Sequence, residues 1–537
     1  MSSDIKSLQE LSFENIRKHF SRYTAAYKHT TNETLTKNLF FLQRIYTRSL
    51  FFDLEQNKEL KEEHFDFLLN ENLKKLDLGI LLSCSTNETI LDKVLPIAHS
   101  LLELSWDYDH RNADDSISIF SKLIPLSNNV KKINVPYICD NDLLKLISSS
   151  CPSLVELSIE DSVTVTGEGI KALCSNPDGQ IQAKCPLKYM NLAHIEDVSV
   201  EDVAFLLKNL PTLEDVVYPK LPNAIESIHL LDIDNNIVSE KFNLQCLDFI
   251  PYEDSLEITR LLTVCAERCP KIKKLSVPIS SEEDLELVAR FSNVENLTIV
   301  CYDVMELNSF LISKGKNLKI LTVDSFSLSV SILVENCPNL EALTLKTVQY
   351  QGLKDKKSTK VLHRLKSLQL ESVVFLDYHC TDNVMMLLNS SPNLESLSLL
   401  YCDFSESDIV AKLSTFSLNC NLSHLHFDFS DVGVDLLQQF ILNCNSLKSL
   451  SLDNCENISL DDICMLNQTI EASNRKILIN FADESDFSYS DYEVDYDADE
   501  NDYDIDDYPG FELYDEYDEY GDYDDYDEYD NIPHEFW

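Results

Sequence analysis

The sequence predicts an α/β solenoid in which short parallel strands alternate with helices, preceded by a helical segment and followed by an acidic tail. Three observations predict it: an apolar triplet that recurs along most of the chain, amphipathic stretches between the triplets, and a sharp change of composition at each end.

The triplet is apolar-x-x-apolar-x-apolar. It occurs fifteen times between Leu73 and Leu452, at intervals of 22 to 33 residues. Leu73-Leu76-Leu78, Leu154-Leu157-Ile159, Leu318-Leu321-Val323 and Leu447-Leu450-Leu452 are examples. The last two apolar residues of each copy are two apart, so in an extended strand they share one face, while the residues between them point the other way. One unit this small cannot bury its apolar face alone, but stacked neighbours share a continuous core. The pattern is that of a leucine-rich-repeat array, a curved horseshoe with parallel strands inside and helices outside. It is expected over residues 73–482, with Lys476–Ile479 as a closing strand.

Between triplets run stretches such as 140–147, 202–207 and 435–442, where an acidic starter precedes apolar residues at helical spacing. Residues 1–72 also read as helical, from Leu8, Leu11, Ile16 and Phe20 onward, and form a cap or docking box. Residues 483–537 carry 25 Asp and Glu, no Lys or Arg, and 11 of the 23 Tyr. That composition repels itself and offers little to bury, so an extended acidic tail is expected.

The net charge of −48 disfavours nucleic acid, whose phosphates are bound by Lys and Arg. The N-terminus lacks a basic segment leading into an apolar run, and no long uncharged apolar stretch occurs. A soluble protein of the cytoplasm or nucleus is expected, without a membrane partner. The sixteen Cys are scattered, and several hold fixed offsets from triplets: Cys151, Cys269, Cys337 and Cys444 each lie three residues before one. Core packing explains them better than disulfides.

No phosphate-cradling glycine motif, metalloprotease His pair, nucleophile elbow or C-x-x-C occurs, so neither catalysis nor a cofactor or metal is expected. What the array offers is an exposed sheet face. Asp107, Glu160, Asp324, Glu371, Asp428 and Asp453 each follow the last apolar residue of a triplet, alongside Lys346, and form a candidate binding row for a protein substrate. His424 and His426 flank Leu425 and should face outward together.

Cys151 through Ile159 with Val165–Leu173, and Cys444 through Leu452 with Cys455 and Ile458–Ile463, resemble the cysteine-containing leucine-rich repeats of ubiquitin-ligase substrate receptors, the F-box proteins above all. Ser7–Ile16 is similar to a BC box, with Ser12 where that motif has Cys. Residues 60–69 resemble the helix that precedes the repeats in Zyg/Zer-type receptors, with Lys61 in place of its proline. The resemblance implies a non-catalytic substrate receptor whose Leu8, Leu11 and Ile16 dock elongin B/C or a Skp-type adaptor on a cullin. The alternative is a chaperone-like module for basic, histone-like proteins, using the acidic row and tail.

Overall fold

A computed structural model of the chain describes residues 8–20, 22–23, 42, 46–54, 57, 59–106, 113–175, 186–237, 240–249, 255–350, 360–372, 378–404, 407–417 and 421–482. The chain divides into two units, Met1–Asp483 and Glu484–Trp537. The second, and with it the tail expected over 483–537, lies outside the described residues.

Every triplet forms a strand, and the strands stack in sequence order as parallel sheets. The first sheet holds β1 (Lys75–Asp77), β2 (Glu103–Ser105), β3 (Lys132–Asn134), β4 (Glu156–Ser158), β5 (Tyr189–Asn191) and β6 (Asp215–Val217). The second begins with β7 (Cys246–Asp248), β8 (Lys274–Ile279), β9 (Asn296–Glu306), β10 (Ile320–Leu328) and β11 (Ala342–Lys346), with β12 (Gln349–Tyr350) paired to the far end of β10. It continues through β13 (Ser367–Glu371), β14 (Ser396–Leu400), β15 (His424–Asp428) and β16 (Ser449–Asp453) to the closing strand β17 (Leu478–Ala482). The molecule is a leucine-rich-repeat solenoid.

Register follows the triplet. Its second apolar residue stands opposite its counterpart from Leu76 to Leu104, Ile133, Leu157, Met190 and Val216, and again from Leu247 through Leu275, Leu297, Leu321, Leu343, Leu368, Leu397, Leu425 and Leu450 to Ile479. All three apolar positions of every triplet are buried. The intervening residues, such as Ser398 between Leu397 and Leu399, stay half-exposed on the other face. Parallel sheets are usually covered on both sides; this one leaves a polar face open.

Many repeats are tied to a neighbour at one or both ends of the strand. Before the first apolar residue, Asn129, Asn243, Asn293, Asn317, Asn339, Asn393 and Asn421 donate their amides to a backbone carbonyl of the preceding repeat, at 2.7 to 3.4 Å. Two residues past the last apolar position, Tyr137, Asp161, His194, Ser325, Thr347, Ser372, Tyr401, Phe429 and Asn454 take positive φ, between 45° and 67°. That conformation lets the N–H reach the next repeat, as from Tyr401 to the Asp428 carbonyl at 2.9 Å, while the chain turns away toward its helix. For a residue with a Cβ it costs about 1–2 kcal/mol.

The stretches expected as helices are Asn141–Ser150, Val200–Asn209 and Val434–Asn443. Asp140 caps the first through the Leu143 N–H at 2.7 Å. Capping boxes of Ser199 with Asp202, Ser281 with Asp284 and Ser459 with Asp462 start three of the helices, each satisfying backbone donors that have no partner within the helix.

Ahead of β1 lie the helix Leu8–Lys18, a helical run over 46–54, and a short helical turn ending at Phe65–Leu68. Ile16, Phe20, Leu50, Leu54, Phe65, Phe67 and Leu68 are buried in the core that continues into the repeats, and Phe20 meets Phe67 edge-on at 5.5 Å.

Between β6 and β7 the strand ladder is interrupted. A backbone bond from Gln245 N–H to the Glu214 carbonyl (2.6 Å) and one from the Gln245 side-chain amide to the Glu214 carboxylate (2.7 Å) cross the gap. Outside it, helix Leu221–Asp234 is joined to helix Ser255–Arg268 through a fully buried guanidinium. Arg268 donates to Asp232 at 2.7 Å, His229 Nδ1 at 3.2 Å and the Glu240 carbonyl at 3.0 Å.

Leu343→Ala is expected to cost about 2–5 kcal/mol, read as a lowered urea midpoint by circular dichroism. Removing one partner of the buried ion pair, in Arg268→Ala, should cost about 3–5 kcal/mol. The double variant Arg268→Met/Asp232→Leu should recover most of that loss in the same assay.

Candidate protein-binding face

The residue after the last apolar position forms one continuous row along the trailing edge of the second sheet: Val300, Asp324, Lys346, Glu371, Leu400, Asp428, Asp453 and Ala482. Four of the six candidate carboxylates therefore stand together. Glu160 follows β4 in the other sheet, and Asp107 lies outside the described residues.

Stacking also determines what each carboxylate meets. Lys346 pairs with Glu371 at 2.8 Å, so this stretch of the row carries little net charge. Asp324 accepts from Ser325 Oγ at 3.0 Å, and Asp428 from the Asn454 amide at 3.2 Å. His426 Nε2 lies 2.9 Å from Asp453 Oδ2, and His424 Nδ1 lies 2.7 Å from Ser449 Oγ. Asp324, Asp428 and Asp453, all half-exposed, therefore carry the anionic character of the row, and Asp428 and Asp453 stand on adjacent strands.

Beside these two carboxylates the turn positions hold Tyr401 and Phe429, 51% and 41% exposed. Their rings stack in parallel, with centroids 5.0 Å apart and planes at 5°. Two aromatic faces open to solvent beside carboxylates suit a cationic side chain, which a ring quadrupole attracts. Sequence reading missed this pair. Its signal was the constant offset of two residues past the triplet, visible only once the backbone at that offset is known.

Glu160, Asp161 and His194 bring three possible ligand atoms within 4.8 Å of one another. His194 is largely exposed and Nδ1 lies 3.1 Å from Asp161. Three groups on an open surface fall short of the four protein ligands of a closed structural zinc site.

At the N-terminal end, Leu8 and Leu11 lie on helix Leu8–Lys18, but their side chains are outside the described residues. Ile16 is 7% exposed and belongs to the core that closes the first repeat. Ile16, expected to dock an adaptor together with Leu8 and Leu11, thus has its apolar surface covered by its own chain in this structure.

Cysteines at the fixed offsets are core residues. Cys151, Cys337 and Cys444 are buried, and each carbonyl accepts from the N–H of the triplet's first residue. Burial pushes the thiols of Cys151, Cys269 and Cys337 up to about 12. Cys265, one turn before Cys269 near the end of helix Ser255–Arg268, is also pushed well up, first by burial and then by Cys269. Only a thiolate reacts readily. Iodoacetamide at pH 8 should therefore label exposed Cys464 in the native protein and reach Cys151, Cys265, Cys269 and Cys337 after denaturation, as checked by peptide mapping.

No family model matches the chain. Over 151 residues it is 25% identical to F-box protein SKIP1 of Arabidopsis thaliana, a match covering 25% of this chain and 50% of that protein, so the chain spans about half the length of the curated relative it matches. Among solved structures it is similar to the Rad7 and Elc1 complex of yeast, with 14% identity, a TM-score of 0.37, and coverage of 86% of this chain and 96% of that one. It is also similar to the TLR13–ssRNA13 complex (15%, TM-score 0.35, 72% and 58%) and to an internalin, inlF, of Listeria monocytogenes (13%, TM-score 0.34, 74% and 93%). The assignment of the fold rests on the strand register and burial of the chain itself.

Proposed function

We propose that this chain is a non-catalytic substrate-recognition subunit of a cullin-RING ubiquitin ligase, holding a protein substrate against its open sheet face. The observation that carries the binding role is the trailing edge of β14 to β16, where the exposed Tyr401–Phe429 stack lies beside Asp428 and Asp453. Aromatic anchors flanked by polar groups are what a protein-binding hot spot needs. The partial match to an F-box protein supports the ligase reading. So does a helical cap ahead of the repeats, where an adaptor would dock through Leu8, Leu11 and the outward side of helix Leu8–Lys18.

The same trailing edge favours a substrate that presents Lys or Arg, which also keeps alive the reading as a binding module for basic proteins. Both readings share the face and differ in the adaptor.

Pull-down of the full chain with elongin B/C and with a Skp-type adaptor separates them. Capture by one adaptor, lost in Leu8→Asp/Leu11→Asp without a change in Tm, is the expected result; capture by neither sinks the ligase reading. On the substrate side, Tyr401→Ala/Asp453→Asn should weaken binding of an Arg-rich peptide about tenfold, equivalent to about 1.4 kcal/mol, whichever adaptor is used.

A further inference from the structure

The opposite, leading edge of the second sheet carries the reverse charge. Residues around the first apolar position of successive triplets line a cavity of about 590 Å³. Its cations are Lys271, Lys273, Lys316, Lys319 and Arg364, and its one carboxylate is Glu295. Glu295 pairs with Lys319 at 2.6 Å, and Lys271 donates to the neutral amide oxygen of Asn243 at 2.7 Å. Among the described residues, no carboxylate lies within ion-pair distance of Lys271, Lys273, Lys316 or Arg364. All four are exposed.

This grouping runs against the composition of the chain, in which 92 acidic residues face 44 basic ones. Elsewhere on the sheet edges several Lys residues sit against carboxylates, as in Lys132 with Glu156 and Lys188 with Glu214, and those without one, such as Lys131 and Lys448, are not grouped in this cavity. Four cations left without counter-charges repel one another and add nothing to the fold, whereas their summed field attracts an anion. The floor beneath them is fixed, because Asn293, Asn317 and Asn339 are tied to the preceding repeats. Long, mobile cationic arms over a rigid amide floor suit a charged chain that lies along the edge.

The spacing selects the shape of the ligand. Lys271 precedes β8 and Arg364 precedes β13, four strands on. At about 4.8 Å per strand, their backbones stand on the order of 19 Å apart. A single phosphate group is too compact to reach along that line, while an extended peptide of about six residues covers it at roughly 3.3 Å per residue. We infer that this leading-edge cavity is a second docking surface, separate from the trailing-edge row, which takes an extended Asp/Glu-rich segment of a partner protein. It does not rest on the ligase reading.

The test is fluorescence anisotropy of a labelled decaglutamate peptide titrated with the full chain at low salt, with decaglutamine as the neutral control. Saturable binding of decaglutamate alone is expected. It should weaken steeply with salt and fall more than tenfold in Lys273→Glu/Lys316→Glu/Arg364→Glu. Lys448→Glu, on the leading edge beyond the cavity, should leave it unchanged. If the reversal variant lowers the melting temperature, Lys273→Gln/Lys316→Gln/Arg364→Gln carries the same test with a smaller loss. Absence of binding, equal binding of decaglutamine, or equal affinity in the charge variants overturns the inference. So does displacement by inorganic phosphate at the peptide's own concentration, which would mark a compact-anion site.

Discussion

Everything in this molecule depends on one ladder: the in-register stacking of the second apolar residue of each triplet against its neighbours, from Leu76 to Val216 and from Leu247 to Ile479. In a strand, a slip of one residue exchanges the two faces. Fixing that single residue therefore fixes the buried third position, the half-exposed residue between, the carboxylate row one step beyond and the left-handed turn after it. A leucine at the ladder position contributes burial of about 1.5–3 kcal/mol, but its larger effect is to set where every neighbouring side chain points.

The two sheet edges then acquire different chemistry without any change of fold. Asp428, Asp453 and the Tyr401–Phe429 stack collect on the trailing edge because they share offsets from the ladder. Lys271, Lys273, Lys316 and Arg364 collect on the leading edge for the same reason. A short strand separates the edges, so a partner with charges of both signs would meet the sheet in one orientation. Such directional complementarity acts on specificity and encounter more than on raw affinity.

The repeats were legible because their signal is local: three apolar residues within six positions, repeated fifteen times. The helices of 140–147, 202–207 and 435–442 were legible for the same reason, through their periodicity and the acidic residues at or near their starts. The leading-edge cavity was not, since its cations come from every second repeat, 45 to 48 residues apart, and meet only through stacking. The packing of Ile16 into the cap was not legible either, because helical spacing marks an apolar face without saying whether the same chain or another protein covers it. The acidic row was readable residue by residue, but the neutralisation of Glu371 by Lys346 required knowing that β11 and β13 are neighbours in the sheet. Asp107, the Leu8 and Leu11 side chains and the tail fall outside the described residues.

The gap between β6 and β7 has a mechanical meaning. A solenoid passes cooperativity only from neighbour to neighbour, and here the hand-over depends on side chains more than on a backbone ladder. The two sheets are coupled by the Gln245–Glu214 bonds, the Asn243 amide on the Pro211 carbonyl, and the Arg260–Glu226 and Arg268–Asp232 pairs between the flanking helices. Load passed from one sheet to the other is therefore carried at this joint by a handful of side-chain bonds and by the packed helices beside them, where elsewhere a strand ladder carries it.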